Sequence, residues 1–406
     1  MERRDLSTVR ATASHAPNRL VTGARYAGAM SKPMPLADFT RLPPALAVEC
    51  VDGLAGGIDA VAARAAPSHR FLRYGWYEAA LKAYGGAART LSVSRDGEPL
   101  VALPMVAMGP AWLGLATVPG CYWPFRSFPV REDAGIEAFE ALLPRLARAV
   151  TALRIGPVYD GDPGLELLKA AALTKGWAVI DRFVADSYVL DMAALRAEGT
   201  WPRNSTLKKN RFHEKHLGGH GELDWGFVSG AGWDDAAFDA LGGIEEKSWI
   251  AAKTDGGDAK FTARGHGAFW RAAAADPVIA GMMWAAMLRV DGAPSAFSFD
   301  LNAGSLKYAI ANSYDPAYAK HSPGKLLYYR NLLRAIEDGM TDVDWGAGDG
   351  GYKGTIGASK GPAIRDWLFV RPGAPALAAK MLRSIWRRSG HRQVAVAAPE
   401  EIDVEA

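Results

Sequence analysis

Asn312-Ser-Tyr-Asp-Pro-Ala-Tyr-Ala-Lys-His-Ser-Pro-Gly-Lys-Leu-Leu327 leaves an apolar, strand-like run, Leu306–Ser313, and enters a run with helical spacing, Leu326–Asp338. Ser322 is the expected N-cap. Pro323 is the expected first helical residue, where a missing N–H costs no helical bond. Gly324 lets another group approach the backbone closely. Lys325 is the odd choice, because a cation in the first turn opposes the helix dipole by roughly 0.3–1 kcal/mol. A phosphate bound there reverses that sign: free amides, the positive helix end and Lys320 or Lys325 would converge on one anion. A capped helix with a solvated lysine is the alternative reading.

The helix ends at Ala335-Ile-Glu-Asp-Gly339, with Gly339 as a left-handed cap, and delivers the chain to Thr341-Asp-Val-Asp-Trp-Gly-Ala-Gly-Asp-Gly-Gly-Tyr-Lys353. These glycines superficially match the first loop of a methyltransferase. Such a loop opens a doubly wound sheet and needs several strand–helix units after it. Only 55 residues follow Gly351, and many of them read as tail.

Upstream, the same alternation occurs twice. Residues 76–84 are helical in spacing. Thr90–Ser94 and Leu100–Met108 read as strands joined through Asp96-Gly97, a strong hairpin signal. A helix over 134–153, a strand Arg154–Tyr159, a helix Gly164–Lys175 and a strand-rich Ala178–Leu190 complete one unit. After a basic, helical segment at 203–216, the pattern returns: helices Phe238–Trp249 and Gly267–Ala275, strand Met282–Val290, the turn Asp291-Gly292, strands Ser295–Leu301 and Leu306–Ser313, a helix, and strand Asp342–Trp345. The fold class is therefore α/β. The expected organisation is a disordered basic tail over 1–42, a first domain over 43–195, a second over 196–375, and an amphipathic helix with an acidic tail over 376–406.

Composition fits a globular chain of 406 residues, with 49% apolar and 22% charged residues. The net charge of +3 is concentrated in residues 1–34, where six cationic residues face two acidic ones. The body is then near neutral, which argues against a nucleic-acid partner. Met30 or Met34 is an alternative start. Cys50 and Cys121 form no CxxC pair and read as buried thiols in a reducing compartment. No run of 18 apolar residues occurs. No metal site is expected: His213 and His216 stand three apart, not the four of a zincin helix, and read as a solvated face.

Tyr314, Ser322-Pro-Gly-Lys-Leu-Leu327, Ala335-Ile-Glu-Asp-Gly339 and Asp344-Trp-Gly-Ala-Gly-Asp-Gly-Gly-Tyr-Lys353 together resemble the CelD-like GNAT acyltransferases. That family is associated with cellulose and other exopolysaccharide loci and is distantly similar to FemAB-type enzymes. Lys247-Ser-Trp249, Phe269-Trp270-Arg271 and the basic segment Lys208–Lys215 also fit. The likeness covers about residues 200–355 well and 45–190 only in general shape. Asp-Trp-Gly stands where the family has Asp-Phe-Gly, and the usual Gln/Arg-x-x-Gly-x-Gly/Ala string is missing.

The resemblance implies two tandem GNAT-type domains, each a mixed, mostly antiparallel twisted sheet flanked by helices. It implies an acyl-CoA co-substrate lying between splayed strands Leu306–Ser313 and Asp342–Trp345. Asn312, Ser313, Lys320, Ser322, Gly324 and Lys325 would hold its diphosphate. The acceptor amine would attack the thioester directly. An alkylammonium near pKa 10.4 costs about 4–5 kcal/mol to deprotonate at pH 7, so a base must take its proton. Asp344 or Asp349 would be that base, and Tyr314 would protonate the thiolate. Trp249, Trp345, Tyr352 and Lys353 would meet the acceptor or the phosphates. Turn chemistry is the plain alternative for both aspartates.

The expected partner is an amine-bearing envelope or exopolysaccharide precursor, in the cytoplasm. Residues 375–389, apolar on one side and basic on another, are a candidate for contact with the inner membrane surface. Three rivals stay open: long-chain acyl transfer to a lipid amine, FemAB-like aminoacyl transfer from tRNA, and a non-catalytic nucleotide-binding scaffold.

Overall fold

The computed structural model describes residues 45–120, 125–199, 201–248, 256–348 and 352–390. The tail expected over 1–42, the acidic end, Cys121, Trp249 and Asp349 lie outside these residues, as does the side chain of Tyr352.

The strands are β1 (Leu46–Asp52), β2 (Ala88–Arg95), β3 (Glu98–Ala107), β4 (Leu115–Thr117), β5 (Ala152–Tyr159), β6 (Ala178–Asp191), β7 (Leu223–Ser229), β8 (Met283–Val290), β9 (Ala293–Ala303), β10 (Leu306–Tyr314), β11 (Asp342–Ala347) and β12 (Ser359–Val370). The helices are α1 (Ile58–Ala63), α2 (Tyr74–Tyr84), α3 (Ile136–Ala149), α4 (Pro163–Thr174), α5 (Met192–Glu198), α6 (Asn204–Leu217), α7 (Asp235–Lys247), α8 (Gly267–Ala273), α9 (Pro277–Met282), α10 (Pro323–Glu337), α11 (Tyr352–Ile356) and α12 (Ala374–Gly390).

The twelve strands among the described residues join one sheet, in the order β1-β2-β3-β4-β5-β12-β6-β11-β10-β9-β8-β7. Its two halves repeat one plan. Both Asp-Gly hairpins form with positive φ at both turn residues: 53° and 86° at Asp96-Gly97, 49° and 75° at Asp291-Gly292. That is the turn whose twist suits paired strands. Each half then places a short parallel pair at its centre, β4 with β5 and β10 with β11. The last strands are exchanged: β6 pairs with β11, and β12 pairs with β5. β6 and β12 also pair with each other, which welds the halves.

The chain after Gly351 is therefore more than tail, because β12 is a central strand. Ser359, Lys360, Arg365 and Asp366 had hidden it. The thiol of Cys50 is exposed on edge strand β1, which corrects the expectation that it is buried.

The halves share a core as well as a sheet. α2 of the first half packs on α8 of the second, with Trp76 edge-on to Phe269 at 4.8 Å and to Trp270 at 5.8 Å. Tyr308 of β10 meets Phe125 at 4.9 Å and Phe71 at 6.0 Å. Edge-to-face pairs of this kind each add about 0.5–1.5 kcal/mol beyond area burial.

Candidate active site

β10 and β11 run side by side for only three residues: Leu306 opposite Asp342, Lys307 opposite Val343 and Tyr308 opposite Asp344. Beyond that level the pairing stops. A bulge between Ala309 and Ala311 turns β10 there, and the register of β11 on β6 breaks after Asp344. A bulge bends its strand and ends local pairing. The last six residues of β10 and the last three of β11 thus border an opening, with Asp344 where it begins.

Asp344 is 4% exposed. Its Oδ1 accepts the Gly346 N–H at 2.6 Å, and Tyr159 hydrogen-bonds to the carboxylate. Burial raises its pKa above the ordinary carboxylate value, against the opposing pull of Tyr159, the Gly346 amide and Lys353. A carboxylate kept ionisable but less acidic is suited to accept a proton. Tyr159 ends β5 of the first half, so both halves build this corner. Its ring stacks on Tyr308 at 6.3 Å, and Tyr308 donates its hydroxyl proton to the Ser68 carbonyl at 3.2 Å. Burial first, then Asp344, raises the pKa of Tyr308. Nothing in the sequence marked Tyr159 or Tyr308, because the contacts that matter join positions far apart in the chain.

The other end of the opening is the start of α10. Ser322 does not cap it with its side chain. It has φ 49° and ψ 49°, donates its N–H to the Ala319 carbonyl and accepts the Leu326 N–H. One residue must both end the 3₁₀ segment Pro316–His321 and begin α10, and the left-handed conformation does both. The N–H groups of Gly324 and Lys325 donate to no group among the described residues.

The close approach that Gly324 permits is internal. A Cβ there would lie 2.8 Å from Asn312 Oδ1 and 3.1 Å from the Tyr314 ring. Asn312 Nδ2 donates to the Gly324 carbonyl at 3.4 Å. Asn312 and Tyr314 therefore seat the helix start. Ser313, between them, points to the opposite face of the sheet, where its hydroxyl is buried without a partner among the described residues. That placement takes Ser313 out of the expected anion-binding set.

Tyr314 lies six residues beyond Tyr308, about 20 Å along the strand at 3.3 Å per residue. It cannot serve the same atom as Asp344, and sits instead at the start of α10. Lys353 also departs from its expected role. It is 5% exposed, and its ammonium donates to the carbonyls of Trp345 (2.8 Å), Ala347 (2.9 Å) and Gly348 (2.6 Å). It fastens the glycine-rich turn instead of meeting a substrate. Trp345 packs edge-on against Tyr328 at 5.7 Å.

Cations surround the start of α10. Lys325 has its pKa lowered by burial and then by Lys209 of α6. His213 is lowered by burial, then by Lys325, His321, His216 and Lys209. His321 is lowered by burial, then by His220, His216 and Lys320. His220 and His321 are 2.9 Å apart through their Nε2 atoms. The histidine face of α6 is partly solvated, as expected, with His216 exposed, but half-buried His213 lies within electrostatic reach of Lys325 on α10. Its spacing in the sequence could not show this, since α10 joins it from over 100 residues away. Among the described residues, no group of three or more His, Cys, Asp or Glu is arranged to hold a metal ion.

The first half has the same frame with different chemistry. Thr117 opposite Arg154 occupies the register of Tyr308 opposite Asp344. Arg154 is tied to Asp366 at 2.9 Å. At the start of α3, the Glu137 carboxylate folds over Gly135 and accepts from Arg95 at 2.6 Å. The first turn of α10 contains no acid. Among the described residues, the second half pairs a buried carboxylate at this register with an acid-free helix start, and the first half does not.

Residues 204–354 match the acetyltransferase (GNAT) domain family. No curated protein matches the chain. Among solved structures, FemX aligns over 82% of this chain and 100% of its own, at 14% identity and a TM-score of 0.54. A conserved protein of unknown function from Bacteroides thetaiotaomicron aligns over 80% and 100%, at 11% identity and a TM-score of 0.50. A tandem GNAT protein from the clavulanic acid biosynthesis pathway aligns over 80% and 100%, at 14% identity and a TM-score of 0.42. The FemX likeness is one of fold. Over residues 204–354, less than half of its length, the chain is similar to the GNAT acetyltransferase domain.

Proposed function

We propose that this protein is an N-acyltransferase that takes its acyl group from a CoA thioester and gives it to an amine of a cell-envelope or exopolysaccharide precursor. One observation carries the reading: an opening between parallel strands has a buried carboxylate at one end and, about 20 Å along β10, unpaired amides among cations at the other. An extended pantetheine arm separates a diphosphate from an acyl sulfur by a comparable length. The diphosphate takes the amides of Gly324 and Lys325, with Lys209, Lys320 and Lys325 supplying charge. The thioester then lies beside Asp344. The acceptor amine attacks the acyl carbon, its proton passes to Asp344, and the thiolate leaves with a proton from solvent.

The test is a thermal-shift screen with free CoA, acetyl-CoA and palmitoyl-CoA, followed by mass spectrometry of transfer to amino-sugar and lipid-amine panels. A ligand at 100 times its Kd stabilises the native state by about 2.7 kcal/mol. No stabilisation by any of the three, with no acylated product, would overturn the reading.

Binding should also depend on pH. The pKa values of His213 and His321 are lowered in the free protein, so both favour the neutral form there. A diphosphate nearby favours their charged form, so binding takes up protons and affinity rises as pH falls. Calorimetric titration of CoA at pH 8 and pH 6 is expected to show tighter binding at pH 6. His213→Gln with His321→Gln should flatten that difference.

A second reading has one observation in its favour. Arg203, Lys208, Lys209, Arg211 and Lys215 are all exposed on or beside α6. That surface suits a polyanionic donor such as an aminoacyl-tRNA, whose binding would weaken steeply with salt.

A further inference from the structure

α12 is amphipathic, but its apolar face turns away from the body. Leu377, Met381, Leu382 and Ile385 are 64%, 77%, 55% and 65% exposed. They lie within one broad stripe at 3.6 residues per turn. The opposite face holds the helix on the sheet by polar contacts. Arg387 reaches Asp181 at 2.8 Å, and Arg182 covers the Trp386 ring at 4.4 Å and donates to Ser389 at 3.0 Å. Ala376 and Ala379 supply its apolar seat, with Leu115 and Val370. This reverses the usual order of a surface helix, and no described residue covers the stripe.

Charge narrows the candidate occupants. Residues 374–390 contain Lys380, Arg383, Arg387 and Arg388 and no acid. A second copy pairing through the stripe would bring Lys380 and Arg388 toward their own counterparts. The chain's own first 34 residues are likewise cationic. A surface both apolar and anionic fits the stripe and its flanks together. A separate feature stands at the same corner. Trp112, 82% exposed, is the most exposed large apolar side chain among the described residues. Its loop is fastened there: Thr151 donates its N–H to the Gly114 carbonyl, Arg371 donates its N–H to the Thr151 carbonyl, and Leu115 packs on the apolar cluster that includes Ala376. Tryptophan is enriched where headgroups meet acyl chains.

We infer that α12, with Trp112 beside it, docks this protein on an anionic lipid bilayer, the apolar stripe entering the headgroup boundary while Lys380 and Arg388 face lipid phosphates. The inference stands whether or not the chain transfers acyl groups.

The test is co-sedimentation of the full chain with vesicles of phosphatidylcholine alone and of an equal mixture with phosphatidylglycerol. Binding is expected to the mixed vesicles and to weaken in high salt. Leu377→Glu with Met381→Glu should lower affinity at least tenfold. Lys380→Glu with Arg388→Glu should do so by at least about thirtyfold, because two cations are lost at roughly 1 kcal/mol each. These side chains are exposed, and unchanged thermal unfolding would show that the fold is intact. Failure to bind either vesicle overturns the inference. So does a concentration-dependent dimer that Leu377→Glu with Met381→Glu abolishes, which would assign the stripe to a second copy.

Discussion

Asp344→Asn is expected to lower the rate of acyl transfer by about 10²–10⁴-fold, the range over which a positioned base acts, and to leave CoA affinity unchanged. The substitution preserves shape in a site 4% exposed, and the remaining amide oxygen still accepts the Gly346 N–H. What is lost is the ability to take a proton from the amine. The anion end, about 20 Å along the strand, is untouched, so KM for the thioester holds while kcat falls. Lys325→Ala should do the reverse and raise KM with a smaller change in kcat.

The pH profile gives a second readout. The pKa of Asp344 is raised by burial, and only its deprotonated form serves as base. In the native enzyme, activity should therefore climb with pH on a limb above the ordinary carboxylate range. The asparagine variant should lack that limb. Equal loss of CoA binding and turnover would show that Asp344 is a structural turn residue, as its bond to Gly346 alone would suggest.

Local chemistry in this chain was legible where neighbours along the sequence decide it. Asp96-Gly97 and Asp291-Gly292 demand positive φ at both positions, and both hairpins formed where the residues required them. The strand–loop–helix from Leu306 to Glu337 is likewise a local pattern. Ser322 failed as a cap for a reason outside local propensity: the preceding 3₁₀ segment had to be ended at the same residue. β12 was missed because its polar residues face partners from other strands. The candidate site divides along the same line. Asp344 and the start of α10 could be found in the sequence, whereas Tyr159 and the histidine cluster are brought in by folding.

Asp366→Ala is expected to destabilise the protein by about 3–5 kcal/mol, the cost of leaving buried charges without their partner. Asp366 lies on β12, is 1% exposed, and takes Arg154 of β5 at 2.9 and 3.0 Å and Arg182 of β6 at 2.6 Å. These three strands are where the halves exchange their last elements, so one carboxylate pairs with two guanidiniums at the weld. The backbone leaves little room to adjust: a Cβ at Gly156, φ 130°, would lie 2.7 Å from the Arg365 carbonyl and 2.9 Å from Asp366 Cα. Urea unfolding would measure the loss. Replacing Arg154, Arg182 and Asp366 together with leucine should recover much of it, because a matched apolar set strands no charge. If the single alanine variant lost less than about 1 kcal/mol, the range of an exposed pair, the triad would be incidental. The weld would then rest on the β6–β12 ladder and the shared aromatic core alone.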